Sequence, residues 1–128
     1  MNIPEGLLYT KEHEWVKIEG ALALIGITDY AQNSLGDITF VDLASEGTEI
    51  KQTDALATVE SVKAASDVYM PLSGKVKKLN QDIVDAPELV NQSPYEKGWF
   101  VAIDITDEAE KDSLMTASDY KNYVEGLA

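Results

Sequence analysis

One lysine lies between two β-prone segments in the run Val59-Glu60-Ser61-Val62-Lys63-Ala64-Ala65-Ser66-Asp67. Upstream, residues 54–61 alternate imperfectly between two faces, and downstream residues 67–70 form a short β-prone run closed by Pro71. The link between these segments is too short for a helix, so the sequence predicts a β-hairpin with Lys63 at its tip. Most lysines are simply solvated, so the significance of Lys63 depends on its setting in the rest of the chain.

Composition favours one folded domain and excludes several kinds of site. The chain has 128 residues, 45% of them hydrophobic, and no cysteine, so it can form neither disulfides nor thiolate metal sites. His13 is the one histidine, which argues against a multi-histidine metal site and leaves any serine-histidine-aspartate triad dependent on it. No glycine-rich phosphate-binding motif is present. An enzyme acting alone would have to rely on carboxylates and hydroxyls, and we expect neither catalytic residues nor a metal site.

The charge is strongly acidic. Ten lysines face 23 acidic residues, for a formal net charge of −13. Phosphate backbones would be repelled, so nucleic acid is not an expected partner. The charge is equally consistent with simple solubility and with steering toward basic surfaces on partner proteins.

Neither a membrane segment nor a targeting segment is visible in the sequence. The longest apolar runs, such as residues 21–27, are far shorter than a membrane span. The first four residues show neither a signal sequence nor a transit peptide, so a cytoplasmic protein is the expectation.

Alternation and turn signals predict further strands. Residues 14–18 and 21–27 flank Glu19-Gly20 and should pair as a hairpin. Additional strands are predicted at residues 38–43, 48–50, 74–79 and 99–105. The lysines that are interleaved with apolar residues in the 74–79 strand indicate a solvated face or edge protection.

A weak internal repeat relates two parts of the β-rich region. Residues 41–54 recur, with one gap, in residues 68–82 at an offset near 27. Two similar sets of short strands indicate a flattened barrel with quasi-two-fold symmetry.

Short helices interrupt the strands. Thr28 is a candidate N-cap and Gly36 a candidate stop for one short helix, and Pro87 suits the first position of another. Asp107 followed by Glu110 resembles a capping box. A last helix is predicted from Thr116, with a stripe that docks on the barrel and consists of Tyr120, Tyr123, Val124 and Leu127.

A lysine on a tight hairpin, in a barrel of two similar halves, is the arrangement of biotinyl and lipoyl carrier domains. Biotinyl carriers usually flank the lysine with methionines, whereas Val62 and Ala64 flank it here. Residues 60–67 instead resemble the lipoylation site of the glycine cleavage system H protein family. Similar segments follow in the same order along almost the whole chain: Tyr9-Thr10-Lys11-Glu12-His13-Glu14-Trp15, Gly26-Ile27-Thr28, Leu35-Gly36-Asp37, Val41-Asp42-Leu43, Pro71-Leu72-Ser73-Gly74, Pro87-Glu88-Leu89-Val90-Asn91 and Gly98-Trp99-Phe100.

The resemblance implies a mainly β fold of the lipoyl/biotinyl-carrier type. This fold is a flattened barrel-sandwich hybrid of two quasi-symmetric halves, with an N-terminal β-hairpin, short helices and a C-terminal helix. It implies a single domain over residues 1–128, with a core at about 21–106 and a helical extension at about 107–128.

The resemblance also implies a carrier that is not itself an enzyme. Lys63 would hold one lipoic acid per chain in amide linkage and carry the aminomethyl group of glycine. The implied partners are a pyridoxal-phosphate glycine decarboxylase, a tetrahydrofolate-dependent aminomethyltransferase, dihydrolipoamide dehydrogenase and the lipoyl-attaching enzymes, with a monomer as the expected state. Glu60 and Gly74 match the glutamate three residues before the lysine and the glycine eleven residues after it, which in lipoyl acceptors help the modifying enzyme.

A loaded arm should be sheltered from water between partners. Lysine plus an octanoyl chain has about ten bonds of ~1.5 Å, so the arm sweeps roughly 14 Å. We hypothesise that the arm folds onto the protein with its amine near Glu14 and Asp67, whose alternative roles are a strand-surface carboxylate and a strand-start residue. His13 is expected to make a structural hydrogen bond rather than to act in catalysis.

Three alternatives remain open from the sequence. A lipoyl relay would pass lipoate to other lipoyl proteins through the same modified Lys63. A lipoyl domain of a 2-oxo acid dehydrogenase is disfavoured, because its acceptor lysine usually follows Asp and its core lacks the N-terminal hairpin and C-terminal helix. A carboxylate-based hydrolase would turn over an isolated substrate even with Lys63 replaced.

Overall fold

Most of the chain forms β-strands, with short helices at the turns between them. The structure is a computed structural model, and it describes residues 1–127. The strands are β1 (Leu8–Tyr9), β2 (Glu14–Glu19), β3 (Leu22–Ile27), β4 (Ile38–Leu43), β5 (Glu49–Ile50), β6 (Ala55–Ser61), β7 (Ala65–Tyr69), β8 (Gly74–Leu79) and β9 (Val101–Ile105). The helices are α1 (Asp29–Leu35), α2 (Gln81–Asp85), α3 (Glu88–Gln92), a 3₁₀ helix (Glu108–Ser113) and α4 (Ala117–Glu125).

The strands of residues 1–127 form two antiparallel sheets that pack against each other. The larger sheet has the order β1-β2-β3-β9-β8-β5 and the smaller has the order β4-β6-β7. Apolar side chains from both sheets fill one core, for example Ile25 and Ile103 from the larger sheet with Val41 and Val59 from the smaller. The predicted mainly β carrier-type fold is confirmed, although the sheets of the described chain remain unclosed and form a sandwich rather than a continuous barrel.

Both predicted hairpins are present. β2 and β3 pair antiparallel around the turn at residues 20–21, and β6 and β7 pair antiparallel with Lys63 between them. The sequence repeat relates β4 to β7, which share the smaller sheet, and β5 to β8, which share the larger. The quasi-two-fold symmetry of the two halves stays a prediction.

A second apolar cluster joins the two ends of the chain. Tyr9 and Trp15 from the first strands pack with Tyr120 and Val124 from α4. The rings of Tyr9 and Tyr120 are stacked, with centroids 4.7 Å apart, an arrangement worth about 1 kcal/mol beyond the area it buries. The predicted docking of the C-terminal helix onto the β-structure is therefore confirmed, and Thr116 caps it by accepting from the Asp119 amide.

The helix boundaries differ from the prediction at several points. Leu127 lies beyond α4 and is 46% exposed, so it does not belong to the docking stripe. Pro87 occupies the cap position of α3 rather than its first turn, and the sequence did not predict α2. Asp107 does cap the 3₁₀ helix, but the carboxylate of Glu110 binds Ser73 instead of closing a capping box.

The lysines of β8 are exposed to solvent, which confirms the predicted solvated face. β5 pairs only with Gly74 and Lys75 of β8, so edge protection at the later lysines stays a prediction. A bulge between Val76 and Lys78 leaves both Lys77 and Lys78 exposed. The division into a core at about 21–106 and an extension at about 107–128 stays a prediction, and Ala128 lies outside the described residues.

Candidate functional site

Lys63 lies at the apex of a turn that one hydroxyl holds together. The Ser61 amide donates to the carbonyl of Ala64 at 2.8 Å, which closes the β6–β7 hairpin. The Ser61 hydroxyl accepts from the amides of Lys63 and Ala64, each at 3.2 Å. Because these amides are satisfied within the turn, Val62 and Lys63 project from it as exposed side chains.

The start of β4 supports this turn from below. The Val62 amide donates to the carbonyl of Asp37 at 3.1 Å. Gly36 has a φ of 78°, which favours glycine, and a Cβ placed on it would lie 3.4 Å from Lys63 Cε. The lysine stem therefore passes over bare backbone, and a side chain at residue 36 would be both strained and crowded.

The outer face of the smaller sheet begins at the tip. Phe40, Glu60 and Ala65 are paired across the three strands, and all three are exposed. The next outward row places Asp42, Thr58 and Asp67 side by side. Along β7, the outward positions therefore run from Ala65 through Asp67 to Tyr69.

A groove of about 450 Å³ opens where this face ends. Tyr69 and Met70 form one wall, and residues 113–115 form another. Met115 holds that second wall by exchanging two backbone hydrogen bonds of 2.8 Å with Tyr9. Apolar and polar groups thus line the same groove, which suits an amphipathic ligand.

Glu14 is a carboxylate buried in the wall of this groove. It is 2% exposed. The Thr10 hydroxyl donates to its Oε1 at 2.6 Å, and the Tyr69 amide donates to its Oε2 at 3.4 Å. Burial raises the pKa of Glu14 to about 7, with these two hydrogen bonds opposing the shift. A carboxyl with such a pKa exists in both protonation states near neutral pH.

Asp67 and Glu60 are exposed and lie between the tip and the groove. Asp67 accepts from the Thr58 hydroxyl at 3.1 Å. Glu60 is paired with Phe40, and its carbonyl accepts from the Thr39 hydroxyl at 3.2 Å. The structure brings Glu60 beside Lys63, whereas Asp67 lies further along the same face and outside the lining of the groove.

Gly74 lies away from the tip, buried at the start of β8. A Cβ on Gly74 would lie 2.7 Å from both the carbonyl oxygen of Asp104 and Cδ1 of Ile103. This close approach between β8 and β9 accounts for a glycine at this position by packing alone. Its predicted part in recognition by a modifying enzyme stays a prediction.

His13 takes part in the structural hydrogen bond that was predicted for it. Its Nδ1 lies 2.8 Å from Tyr120 Oη, which is also 2.7 Å from the Thr28 hydroxyl. His13 adopts a φ of 71°, and burial lowers its pKa. This network ties β2, α1 and α4 together behind the groove.

No group of three or more histidine, aspartate or glutamate side chains within residues 1–127 is placed to hold a metal ion. Within the same residues, no helix is long and apolar enough to cross a membrane.

The sequence did not reveal the residues that complete the site. Ser61 holds the turn through its hydroxyl, and Gly36 leaves the backbone beneath Lys63 without a side chain. A serine two residues before the apex of a turn is the signal that could have identified Ser61. Thr10 and residues 113–115 join the groove only through the fold, because they are far apart in the chain.

Comparison with known proteins gives one consistent result. A family model described as "Glycine cleavage H-protein" matches residues 7–126. A protein of Halothermothrix orenii named glycine cleavage system H protein is 50% identical over 125 residues, covering 98% of each chain. One of the same name from Carboxydothermus hydrogenoformans is 50% identical over 123 residues, covering 96% of this chain and 95% of that protein. The crystal structure of a glycine cleavage system H protein from Mycobacterium marinum superposes with a TM-score of 0.87 at 34% identity, covering 96% of this chain and 99% of that one.

Proposed function

Because the chain belongs to the glycine cleavage H-protein family, we propose that it is the lipoyl carrier of a glycine cleavage system, with lipoate in amide linkage on Lys63. Lys63 would hold this group, whose dithiolane would supply the thiol and disulfide chemistry for carrying the aminomethyl group of glycine between a pyridoxal-phosphate decarboxylase, a tetrahydrofolate-dependent aminomethyltransferase and dihydrolipoamide dehydrogenase. The protein is then a non-catalytic subunit whose residues present, guide and shelter the arm.

The observation that carries this proposal is the exposed Lys63 at the apex of a closed turn. The Ser61 hydroxyl fixes the backbone on either side of the lysine, so the turn presents its side chain to solvent and to large partners. The site also fits an acylated lysine, because Gly36 leaves no side chain beneath the stem. A longer arm can therefore lie along the protein or swing away without displacing another side chain.

The outer face of β7 supplies a path from the tip to the groove. Strands rise about 3.3 Å per residue, so the four steps from Ala65 to Tyr69 cover about 13 Å. The arm starts two residues earlier, at Lys63, so its reach of roughly 14 Å brings its far end to about Asp67 and toward the groove. Asp67 lies midway along this path, which supports its proposed contact with a loaded arm.

The groove combines what the loaded arm needs for shelter. Its apolar wall can cover methylenes, each worth ~0.8 kcal/mol when buried. Glu14 can meet the amine, and a cation beside it would favour the ionised carboxylate and so lower its pKa from about 7. We propose that the buried Glu14 carboxylate accepts hydrogen bonds from the amine of the loaded arm. The exposed Asp67 carboxylate would contact the same amine at the entrance to the groove.

Intact-mass measurement after expression with lipoate tests the assignment. We expect the wild-type chain to gain the mass of one lipoyl group, and Lys63→Arg to gain none while keeping its thermal unfolding midpoint, since Lys63 is exposed. Lys97→Arg is the matched control at another exposed lysine and should be modified normally. An unmodified wild-type chain, under conditions that lipoylate another acceptor, would overturn the proposal.

Reconstitution then tests the pathway. With the three partner enzymes, glycine, tetrahydrofolate and NAD⁺ as the electron acceptor, the lipoylated protein should support continued release of carbon dioxide and ammonia, and Lys63→Arg should not. Transfer of lipoate from the protein to a second acceptor, without glycine turnover, would instead identify a lipoyl relay.

A further inference from the structure

Two large apolar side chains remain in water on either side of Lys63. Phe40 is 49% exposed and Val62 is 67% exposed. In a regular strand Phe40 would share the buried face of Ile38, but a β-bulge between these two residues turns Phe40 outward. The bulge therefore places an aromatic ring on the surface beside the tip, where about half of it forgoes burial.

Carboxylates surround this ring. On the paired rows nearest the tip, Asp42 and Glu60 are exposed neighbours of Phe40, and neither row contains a basic residue. Together these positions make up a surface that we term the tip face (Phe40, Asp42, Glu60, Val62 and Ala65). An exposed aromatic side chain within an acidic rim is complementary to an apolar pocket bordered by lysine or arginine.

We infer that the tip face is the docking surface for the enzyme that acylates Lys63, and that this enzyme seats Phe40 in an apolar pocket with a basic rim. The inference rests on the proposed function, since it assumes that Lys63 is modified. It goes further by assigning recognition to Phe40, Val62 and Asp42 as well as to Glu60.

The position of the reacting atom selects this partner over the others. Lysine Nζ lies only about 6 Å from its own Cα, so an enzyme that acts on Nζ must cover the surface immediately around the tip. An enzyme that acts on the far end of the arm, roughly 14 Å away, can work without touching that surface. That surface consists of residues 36–42 and 60–65, because the Val62 amide donates to the carbonyl of Asp37 and the Lys63 stem passes over Gly36.

The acylation step needs an activated acyl donor, here an acyl adenylate made from ATP and lipoic acid. Neutral Lys63 Nζ attacks the acyl carbon, the new C–N amide bond forms and the bond from that carbon to the phosphate oxygen breaks. AMP leaves with the electron pair of that bond, and Nζ loses one proton. Docking at the tip face holds Nζ in place for this attack and takes no part in the bond changes.

The acylation rate of Phe40→Ala provides the first test. Purified apo-protein, a lipoate–protein ligase, ATP and lipoic acid are mixed, and the modified fraction is followed by intact mass. We expect kcat/KM for Phe40→Ala to fall about tenfold or more, as for a buried aromatic anchor. Leu127→Ala removes a side chain of similar exposure after α4 and should acylate as the wild type does. Thermal unfolding of both variants checks that the fold is retained.

The acidic rim provides the second test. The double variant Asp42→Asn/Glu60→Gln should acylate about three- to tenfold more slowly at low salt and should lose most of the salt dependence of kcat/KM. Glu46→Gln/Glu49→Gln removes two exposed carboxylates outside the tip face and should keep both the rate and the salt dependence.

A third measurement distinguishes the acylating enzyme from the other partners. Phe40→Ala acylated to completion by long incubation is assayed as a substrate of dihydrolipoamide dehydrogenase, and its loss of rate should be at least about fivefold smaller than its loss in acylation. Equal losses in the two assays, or acylation of Phe40→Ala at the wild-type rate, would overturn the inference. Absence of acylation in the wild type would refute the proposed function itself.

Discussion

The tip around Lys63 and the groove around Glu14 are built in opposite ways. The tip is a turn between two strands, in which the Ser61 hydroxyl accepts hydrogen bonds from two backbone amides. The side chains of Val62 and Lys63 are exposed to solvent. The groove assembles segments from both ends of the chain, and its carboxylate is 2% exposed.

The exposed tip is suited to access by another protein, whereas the buried groove is suited to retaining a ligand. On the proposed function, the exposed tip leaves room for an enzyme to surround the Lys63 amine. The groove would in turn shelter the loaded arm from water, and burial there raises the pKa of the Glu14 carboxyl. The following predictions test whether the two regions are as separate as their construction indicates.

The largest expected effect is on the pH dependence of stability. The pKa of Glu14 is raised from 4.5 to about 7, so the folded state binds its proton more tightly than the unfolded state. The free energy of unfolding should therefore fall as pH rises from about 4.5 to 7, by at most about 3 kcal/mol from this group, and level off above that. Urea unfolding at pH 5 and pH 8 should show that the drop shrinks in Glu14→Gln. An equal drop in both proteins would contradict the raised pKa.

The two hydrogen bonds that Ser73 donates to Glu110, beside the groove, should contribute about 2 kcal/mol to the free energy of unfolding. The carboxylate of Glu110 accepts from the Ser73 amide at 2.6 Å and from its hydroxyl at 2.9 Å. Glu110→Ala should lower the free energy of unfolding by that amount and leave the acylation rate of Lys63 unchanged, while Glu108→Ala, exposed on the same 3₁₀ helix, should do neither. Slower acylation of Glu110→Ala would show that the tip and groove are coupled.

The rate at which the loaded carrier loses its aminomethyl group should depend on Glu14. Loss of ammonia from the loaded carrier should be about tenfold faster in Glu14→Gln, equivalent to about 1.4 kcal/mol, and less affected in Asp67→Asn, whose site is exposed. The ratio of variant to wild-type rates should grow as pH rises toward 7, because the amine lowers the pKa of the Glu14 carboxyl from about 7 and more of it is ionised as pH rises. Glu49→Gln is the control for charge, and unchanged rates in both the Glu14 and Asp67 variants would refute the sheltering role.

The smallest effect is expected at the turn. Ser61→Ala removes the acceptor of two amides at the exposed tip, so stability should fall by about 1 kcal/mol or less. The acylation rate should fall a few-fold, because the turn is less well fixed. Ser66→Ala, on the neighbouring strand β7, is the control and should be acylated at the wild-type rate. Acylation of Ser61→Ala at the wild-type rate would show that its hydroxyl is dispensable.

The sequence was sufficient where local pattern determines structure. Alternation predicted the β2–β3 and β6–β7 hairpins, and Thr28 and Gly36 were identified as the limits of α1 because capping depends on nearby residues. It failed where a distant partner competes. Glu110 had the spacing of a capping box, but Ser73 offered two donors that the local sequence does not show.

The outward position of Phe40 could not be predicted for a similar reason. The adjacent apolar residues Phe40 and Val41 interrupt the alternation of residues 38–43, but only the register between β4 and β6 shows which of the two faces outward. The groove was also beyond reach, since Tyr9, Tyr69 and Met115 come from three separate parts of the chain. Glu14 and Asp67 were identified as candidates by residue type, but their different burial follows from the fold alone.

The pairing of Tyr9 with Met115 has a consequence for synthesis of the chain. Domains are assembled as the ribosome extends the chain from its N-terminus. The β6–β7 hairpin is complete well before residues 113–115 are added, and these residues form one wall of the groove. Lys63 and its turn are therefore synthesised before the segment that completes the groove.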